Sequence, residues 1–300
     1  MKGKRGVLHF MAAGVGSLAA AILPLGSFEP PTDSAHEKAV TQRAEGFAPS
    51  RHGFGFKNIF KGSPLPPSLR GASSGALKAV GDGLGLPREF GLCGGMSLAA
   101  ADFYLADRKA PDLSKPPEQG TPLYEYLYER QADSMGPMGV MALKFWTWMK
   151  LPDHSDTGQC TQKLTAAELP GIISRLKARQ LAPVGLVLSS STEGKLWENH
   201  QILGYGVKEK DGGVIDLLVY DPNFPGDDHV VIRLTPVEEA KAPEPKKDAE
   251  AKKDEKPVKA PASAPTEYTC QRISGKGIVK RVRGVFAMPY EPKAPPKDLK

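Results

Sequence analysis

Cysteine is scarce in this sequence. Three residues in 300, Cys93, Cys160 and Cys270, exclude a disulfide framework. Cys160 and Cys270 are free to pair in an oxidising compartment, leaving Cys93 as a lone thiol; in a reducing one all three stay unpaired. Runs of lysine and arginine interleaved with aromatic residues are also missing. The net charge of +6 is therefore no nucleic-acid footprint, and no nucleic-acid partner is expected. A mild cationic balance suits an anionic surface such as a cell envelope. Metal-ligand spacing is lacking too. His154 and His229, with Asp153, Asp156, Asp227 and Asp228, read as polar loops rather than a tight ligand set. Residues 221–228 lack the alternating acids and late Glu of an EF-hand. The glycines of 81–85 lack the strand-to-helix setting and the lysine of a phosphate loop. His52 is expected to be structural. No metal, cofactor or internal repeat is expected.

Two stretches carry little that can build a core. The N-terminal region through about residue 85 is rich in Gly, Pro and Ser, and residues 236–266 form a Lys/Glu/Ala/Pro tract with almost no large apolar side chain. Such a tract buries too little surface to offset the entropy of ordering it, so it is expected to be a disordered insertion in a surface loop. What remains suffices for one well-packed domain over residues 86–290, followed by a tail at 291–300. At the N-terminus, Lys2, Lys4 and Arg5 precede residues 7–25, which are apolar or small apart from His9 and Ser17. That is the layout of a secretory signal, and it is long enough to serve as an uncleaved membrane anchor. Residues 1–27 are accordingly expected to send the chain out of the cytoplasm, to a periplasmic, secreted or membrane-anchored location. Residues 28–85 read as a linker with a short strand near 52–60, where Phe54, Phe56 and Phe60 share one parity.

Helical spacing then appears at 92–107, 122–133, 138–149 and 165–180, the last with Thr165 and Glu168 in a capping-box pattern. After Leu181 the pattern turns to strands at 183–189, 200–208, 214–220, 229–234 and 277–288, with Asp211-Gly212-Gly213 as a hairpin turn. Helices first and antiparallel strands second indicate an α+β fold, with an N-terminal helical part packed on a C-terminal sheet.

Phe90-Gly91-Leu92-Cys93-Gly94-Gly95-Met96 runs a glycine-rich loop straight into an apolar helix. A helix N-terminus offers unpaired backbone N–H groups and positive partial charge, a setting that favours thiolate chemistry. Gly94 and Gly95 would let a substrate carbonyl approach the backbone, and the N–H groups around Cys93 and Gly94 would face an oxyanion. A buried, inert cysteine is the competing reading. Asn199-His200-Gln201 opens a strand, and the hairpin returns as Tyr220-Asp221-Pro222-Asn223. With Asp211 and Gly212 as the turn pair, His200 lies opposite Asn223, with Asp221 as its diagonal neighbour on the same face. Either Asp221 or Asn223 is then placed to orient the imidazole.

The order Cys93, His200, Asp221, with Cys on a helix and its partners on successive strands, resembles the papain-like cysteine peptidase superfamily. The phrases Asn199-His200-Gln201-Ile202-Leu203-Gly204-Tyr205-Gly206 and Tyr220-Asp221-Pro222 are similar to its bacteriocin-processing branch. Transglutaminase-like proteins share the order and the Asp-Pro pair. The resemblance implies a papain-like fold and a Cys93-His200-Asp221 triad, with Asn223 as the alternate orienter. It further implies a thioester intermediate and cleavage of peptide or isopeptide bonds in a peptide or protein substrate. An acyl transferase and a catalytically silent envelope-binding module are the alternatives. One departure stands out: these peptidases carry a Gln shortly before the Cys, whereas Pro87, Arg88, Glu89 and Phe90 occupy that stretch here. Gln159, Gln201 and Asn58 are candidates to replace it through space.

Overall fold

The computed structural model describes residues 41–62, 89–237 and 265–299. The expected signal or anchor (1–27), much of the expected linker and the body of the charged tract lie outside the described residues. Among the described residues no helix is long and apolar enough to cross a membrane.

The helical part is built on α2 (Cys93–Leu105), preceded by β1 (Thr41–Arg43), α1 (Pro49–His52), β2 (Phe60–Lys61) and β3 (Glu89–Phe90). The sequence of α2 is small and apolar on every side, with three consecutive alanines, the best helix formers. It is consequently buried all round, from Gly94 through Phe103. Against it packs α3 (Pro122–Ser134), which starts at Thr121, whose Oγ1 accepts from the Tyr124 N–H at 3.4 Å, with Pro122 in the first turn. Next come α4 (Val140–Met149) and α5 (Thr161–Lys177). The cap of α5 is Cys160, whose Sγ accepts from the Lys163 N–H at 3.5 Å, rather than Thr165. Thr165 lies inside the helix and accepts from the Val285 N–H at 3.0 Å, while Glu168 binds Lys144 at 2.6 Å. The capping-box pattern thus marks long-range contacts, not a helix start.

Strands β4 (Ala182–Val187), β5 (His200–Glu209), β6 (Ile215–Tyr220), β7 (Val231–Pro236), β8 (Tyr268–Ile273), β9 (Val279–Val282) and β10 (Gly284–Ala287) form an antiparallel sheet ordered β10-β4-β5-β6-β7-β8-β9, with β1 added alongside β5. The fold is α+β. Strands β9 and β10 lie at opposite edges yet only Arg283 separates them. Since one residue advances the chain by about 3.8 Å, the sheet must curl until its edges approach. The single strand expected at 277–288 is therefore two, and β8 has no counterpart among the strands expected from the sequence.

Side chains alternate across β5. Leu203 and Tyr205 join an aromatic core with Met96, Phe103, Tyr124 and Leu127 of α2 and α3, whereas Ile202 and Val207 join Leu169, Ile172 and Leu176 of α5. The helices thus cover both faces of the sheet at β5. Phe54, Phe56 and Phe60 also belong to the aromatic core, but the expected strand near 52–60 is not there. A helix occupies Pro49–His52, and only Phe60–Lys61 pairs, with Phe90 and Glu89. Their burial comes from ring-on-ring packing, with Phe54–Phe56 and Phe56–Phe60 centroids 5.4 and 6.2 Å apart, not from a pleat. All three cysteines are free; Cys160 and Cys270 are separate buried thiols.

Candidate active site

Cys93 is the first residue of α2, and His200 the first of β5, while Asp221 directly follows β6. The start of one antiparallel strand and the end of its partner lie at the same end of the sheet, so His200 and Asp221 meet there. Leu203 pairs with Tyr220, and three further residues along each strand bring His200 opposite Asn223. The turn itself differs from the expected two-residue loop. Lys210 and Val214 close around Asp211–Gly213, one residue more, which would by itself slip His200 to face Phe224. A bulge between Gly204 and Gly206 absorbs the extra residue and restores the register.

His200 Nε2 lies 2.6 Å from Asp221 Oδ1, with both side chains buried. That leaves Nδ1 for Cys93, whose thiol lines the same pocket as the ring and is near enough to act on it. Burial alone would push the imidazole down. The Asp221 charge and hydrogen bond, then the contact with Cys93, outweigh it and raise His200 to about 10. Burial likewise opposes the charged form of Asp221, but His200, Arg272 and the Asn223 N–H hold it below the usual carboxylate value. Asn223 Nδ2 lies 3.3 Å from His200 Nε2. An amide N–H cannot accept from a ring nitrogen that already donates to Asp221, so Asn223 acts instead through its backbone N–H on Asp221 Oδ1, at 2.9 Å.

The N–H groups at the start of α2 divide in two sets. Leu92 N donates to Asn58 Oδ1 at 2.6 Å, Gly95 N to Gln131 Oε1 at 3.1 Å, and Met96 N begins the helical ladder on Leu92 O. Among the described residues no acceptor takes the N–H of Cys93 or Gly94. On the side where a Cβ would stand, the two glycines make room for neighbouring protein rather than for the substrate carbonyl expected there. A Cβ on Gly94 would strike Ser134 Oγ and Gln201 Oε1, and one on Gly95 would strike the Leu127 carbonyl oxygen, so neighbouring protein fills both spaces. Of the three amides proposed for the missing Gln, Gln159 is exposed before α5 and takes no part here. Asn58 lies against Gly91 and Gln201 against Gly94.

Beside Cys93 is a pocket of about 200 Å³ lined by Met135, Ala142, Phe145, Leu196 and Trp197, with Gln131, Asn199, His200 and Gln201 as its polar members. His200 is the one ionisable side chain among them besides Cys93. Arg272, Gln131 and the apolar pocket carry no sequence signal of their own. They come from distant segments with ordinary composition.

The other described histidines stand apart from this site. His154 bridges Glu267 and Asp156 at 2.7 and 3.0 Å, His229 lies exposed beside Asp227, and the His52 ring stacks on Phe47 with Nδ1 against the Ala48 backbone. Among the described residues no group of three His, Cys, Asp or Glu side chains is placed to hold a metal ion. Comparison with protein-family models, with curated proteins and with solved structures gives no match.

Proposed function

We propose that this chain is a cysteine hydrolase of papain-like architecture. The observation that carries the reading is the continuous chain Asp221–His200–Cys93, set at a helix start beside a pocket. Cys93 Sγ attacks an amide or ester carbonyl while His200 Nδ1–H protonates the departing amine or alcohol, giving a thioester. Water then attacks the thioester with His200 as base, releasing the acid and restoring the thiol; an amine in place of water gives acyl transfer. Asp221 holds the imidazole orientation and supports its cation. The N–H groups of Cys93 and Gly94, which no described acceptor takes, support an oxyanion, and Asn58, whose Oδ1 accepts from Leu92, brings its Nδ2 to the Gly91 side to join them. The apolar pocket favours a peptide or isopeptide substrate presenting an uncharged, apolar side chain next to the reacting carbonyl. The N-terminal segment would deliver this activity outside the cytoplasm, to a peptide or protein at the envelope.

The test is the rate of Cys93 alkylation by iodoacetamide as a function of pH, with the labelled residue located by mass spectrometry. A reactive plateau well below the free-thiol range of about pH 8.5, lowered at least about tenfold in His200→Ala, supports the hydrolase. A rate that rises only through the free-thiol range and ignores His200→Ala leaves a silent binding module.

A further inference from the structure

Asp221 has a second buried partner that a three-residue site does not need. Arg272 stands on β8 opposite Ile232 of β7, and it is 6% exposed. Its Nη1 donates to Asp221 Oδ2 at 3.0 Å. Oδ1 is occupied on its own side by His200 and the Asn223 N–H, so the two carboxylate oxygens are divided between two cations. The guanidinium also lies over the Phe224 ring, 5.2 Å from its centroid, and Phe224 N–H is tied back to the Asp221 carbonyl at 2.9 Å. The same short turn that places Asp221 thus supplies the aromatic floor that aims Arg272.

We propose that Arg272 is a fourth, positioning member of the site, which fixes Asp221 from behind and balances its charge so that a thiolate–imidazolium pair forms in a buried setting without net charge. The inference rests on the hydrolase reading for its consequence but not for its geometry. The ionic groups facing His200 are Asp221 and Cys93, and those facing Asp221 are His200 and Arg272. In the reactive state the signs alternate along the chain: thiolate, imidazolium, carboxylate, guanidinium. They sum to zero. Without Arg272 the same state holds one uncompensated negative charge in the interior, where unpaired charge is strongly penalised. A buried arginine is a costly way to hold two strands together, so its aim at the one carboxylate that bears on His200 argues for a role in the chemistry.

The signs of the effect follow. Removing a nearby cation makes a thiolate harder to form, so the acid limb of Cys93 alkylation moves to higher pH. It also makes the imidazolium easier to keep, so the alkaline limb moves the same way. In the full chain, Arg272→Met is expected to displace both limbs upward by about one pH unit, and Arg272→Lys, which keeps the charge, to return them to the wild-type positions. A purely structural role lowers the rate or the stability, leaves both limbs in place and gives Lys no advantage over Met. That result overturns the proposal. Should Arg272→Met fail to fold, Arg272→Gln takes its place. A second arm follows the His200 ring by NMR in the Cys93→Ala background, where nucleophilicity plays no part. The ring should titrate at higher pH with Met than with Arg or Lys at 272. Equal titration overturns the role of Arg272, whereas wild-type protein lacking a low-pH alkylation plateau overturns the hydrolase reading alone.

Discussion

In the hydrolase reading Asn58 has two tasks for one amide. Its Oδ1 takes the Leu92 N–H just before α2, and its Nδ2 stays beside Gly91, two residues before Cys93. Alkylation of Cys93 passes through no oxyanion, whereas hydrolysis does, so the two reactions separate the tasks. Asn58→Ala is expected to lower kcat on an amide or ester substrate by about 10²-fold or more, with a much smaller change in the alkylation rate. Loss of the acceptor for Leu92 should also cost about 1–3 kcal/mol in urea unfolding. Equal losses in hydrolysis and alkylation would show that Asn58 only shapes the helix start. Asp221 makes a different prediction. Its charge and hydrogen bond are the main forces that raise His200 against burial. The support is present while His200 is protonated and is lost as pH rises through about 10. Asp221→Asn should therefore bring the alkaline limb of Cys93 alkylation down by more than a unit, to where burial holds an unassisted imidazole. An alkaline limb that stays in place would remove Asp221 from the chain.

Glycine at the start of α2 is a packing requirement. A Cβ on Gly95 would collide with the Leu127 carbonyl oxygen and come within 3.0 Å of Gln131 N, both on the α3 backbone, which cannot swing aside as a side chain would. Gly95→Ala must push the two helices apart and is expected to cost about 2 kcal/mol or more despite the better helix propensity of alanine. Gly171 in α5 provides the opposite case. It is exposed, with nothing within 4 Å of where an added methyl group would sit, so Gly171→Ala should gain about 0.5–1 kcal/mol. Similar urea midpoints for the two variants would contradict the close-approach account. The same elements show what the sequence could reveal. The helices and the β5–β6 hairpin are local patterns, and period alone finds them. His200 comes to face Asn223 through two departures that cancel, a turn longer by one residue and a bulge at Tyr205. The bulge leaves no mark in composition. Thr165 and Glu168 imitate a local cap while serving partners more than twenty residues away. Asn58 and Arg272 reach the site from 34 residues before Leu92 and 51 residues after Asp221, distances over which spacing carries no information.

At the scale of the molecule, the site lies where two differently built parts meet: Cys93 comes with the aromatic helical core, His200 and Asp221 with the sheet. Its geometry depends on how firmly α2 is held, and the C-terminal residues contribute to that. Polar and rich in proline, residues 291–300 have the composition of a tail outside the domain, but the described part is docked. Asp102, buried in α2, accepts from Tyr126 Oη at 2.7 Å, Tyr290 Oη at 3.1 Å and the Lys293 N–H at 2.9 Å, and pairs with Arg130 Nε of α3 at 2.7 Å. Arg130 in turn donates to the Glu291 carbonyl at 2.9 Å. Further on, Arg108 donates to the carbonyls of Pro295 and Pro296 at 2.6 and 3.0 Å. These contacts use backbone carbonyls and one carboxylate, which no hydrophobic period reports. Ending the chain after Met288 removes three bonds to a buried ion pair, each in the range of about 1.5–3 kcal/mol for a charged partner. Water entering the gap offsets part of this, leaving an expected loss of about 3 kcal/mol, a large share of the 5–15 kcal/mol, roughly, that holds a domain together. Ending it after Lys293 spares all three and gives up the Arg108 contacts and the packing of Leu299, for an expected loss of about 1 kcal/mol. Urea midpoints of the two truncations decide the matter. If they fall equally, the Asp102 cluster is not what anchors the C-terminus. If only the shorter chain falls far, and Cys93 alkylation falls with it below the unfolding transition, the C-terminal residues hold the nucleophile's helix against the sheet that carries its base.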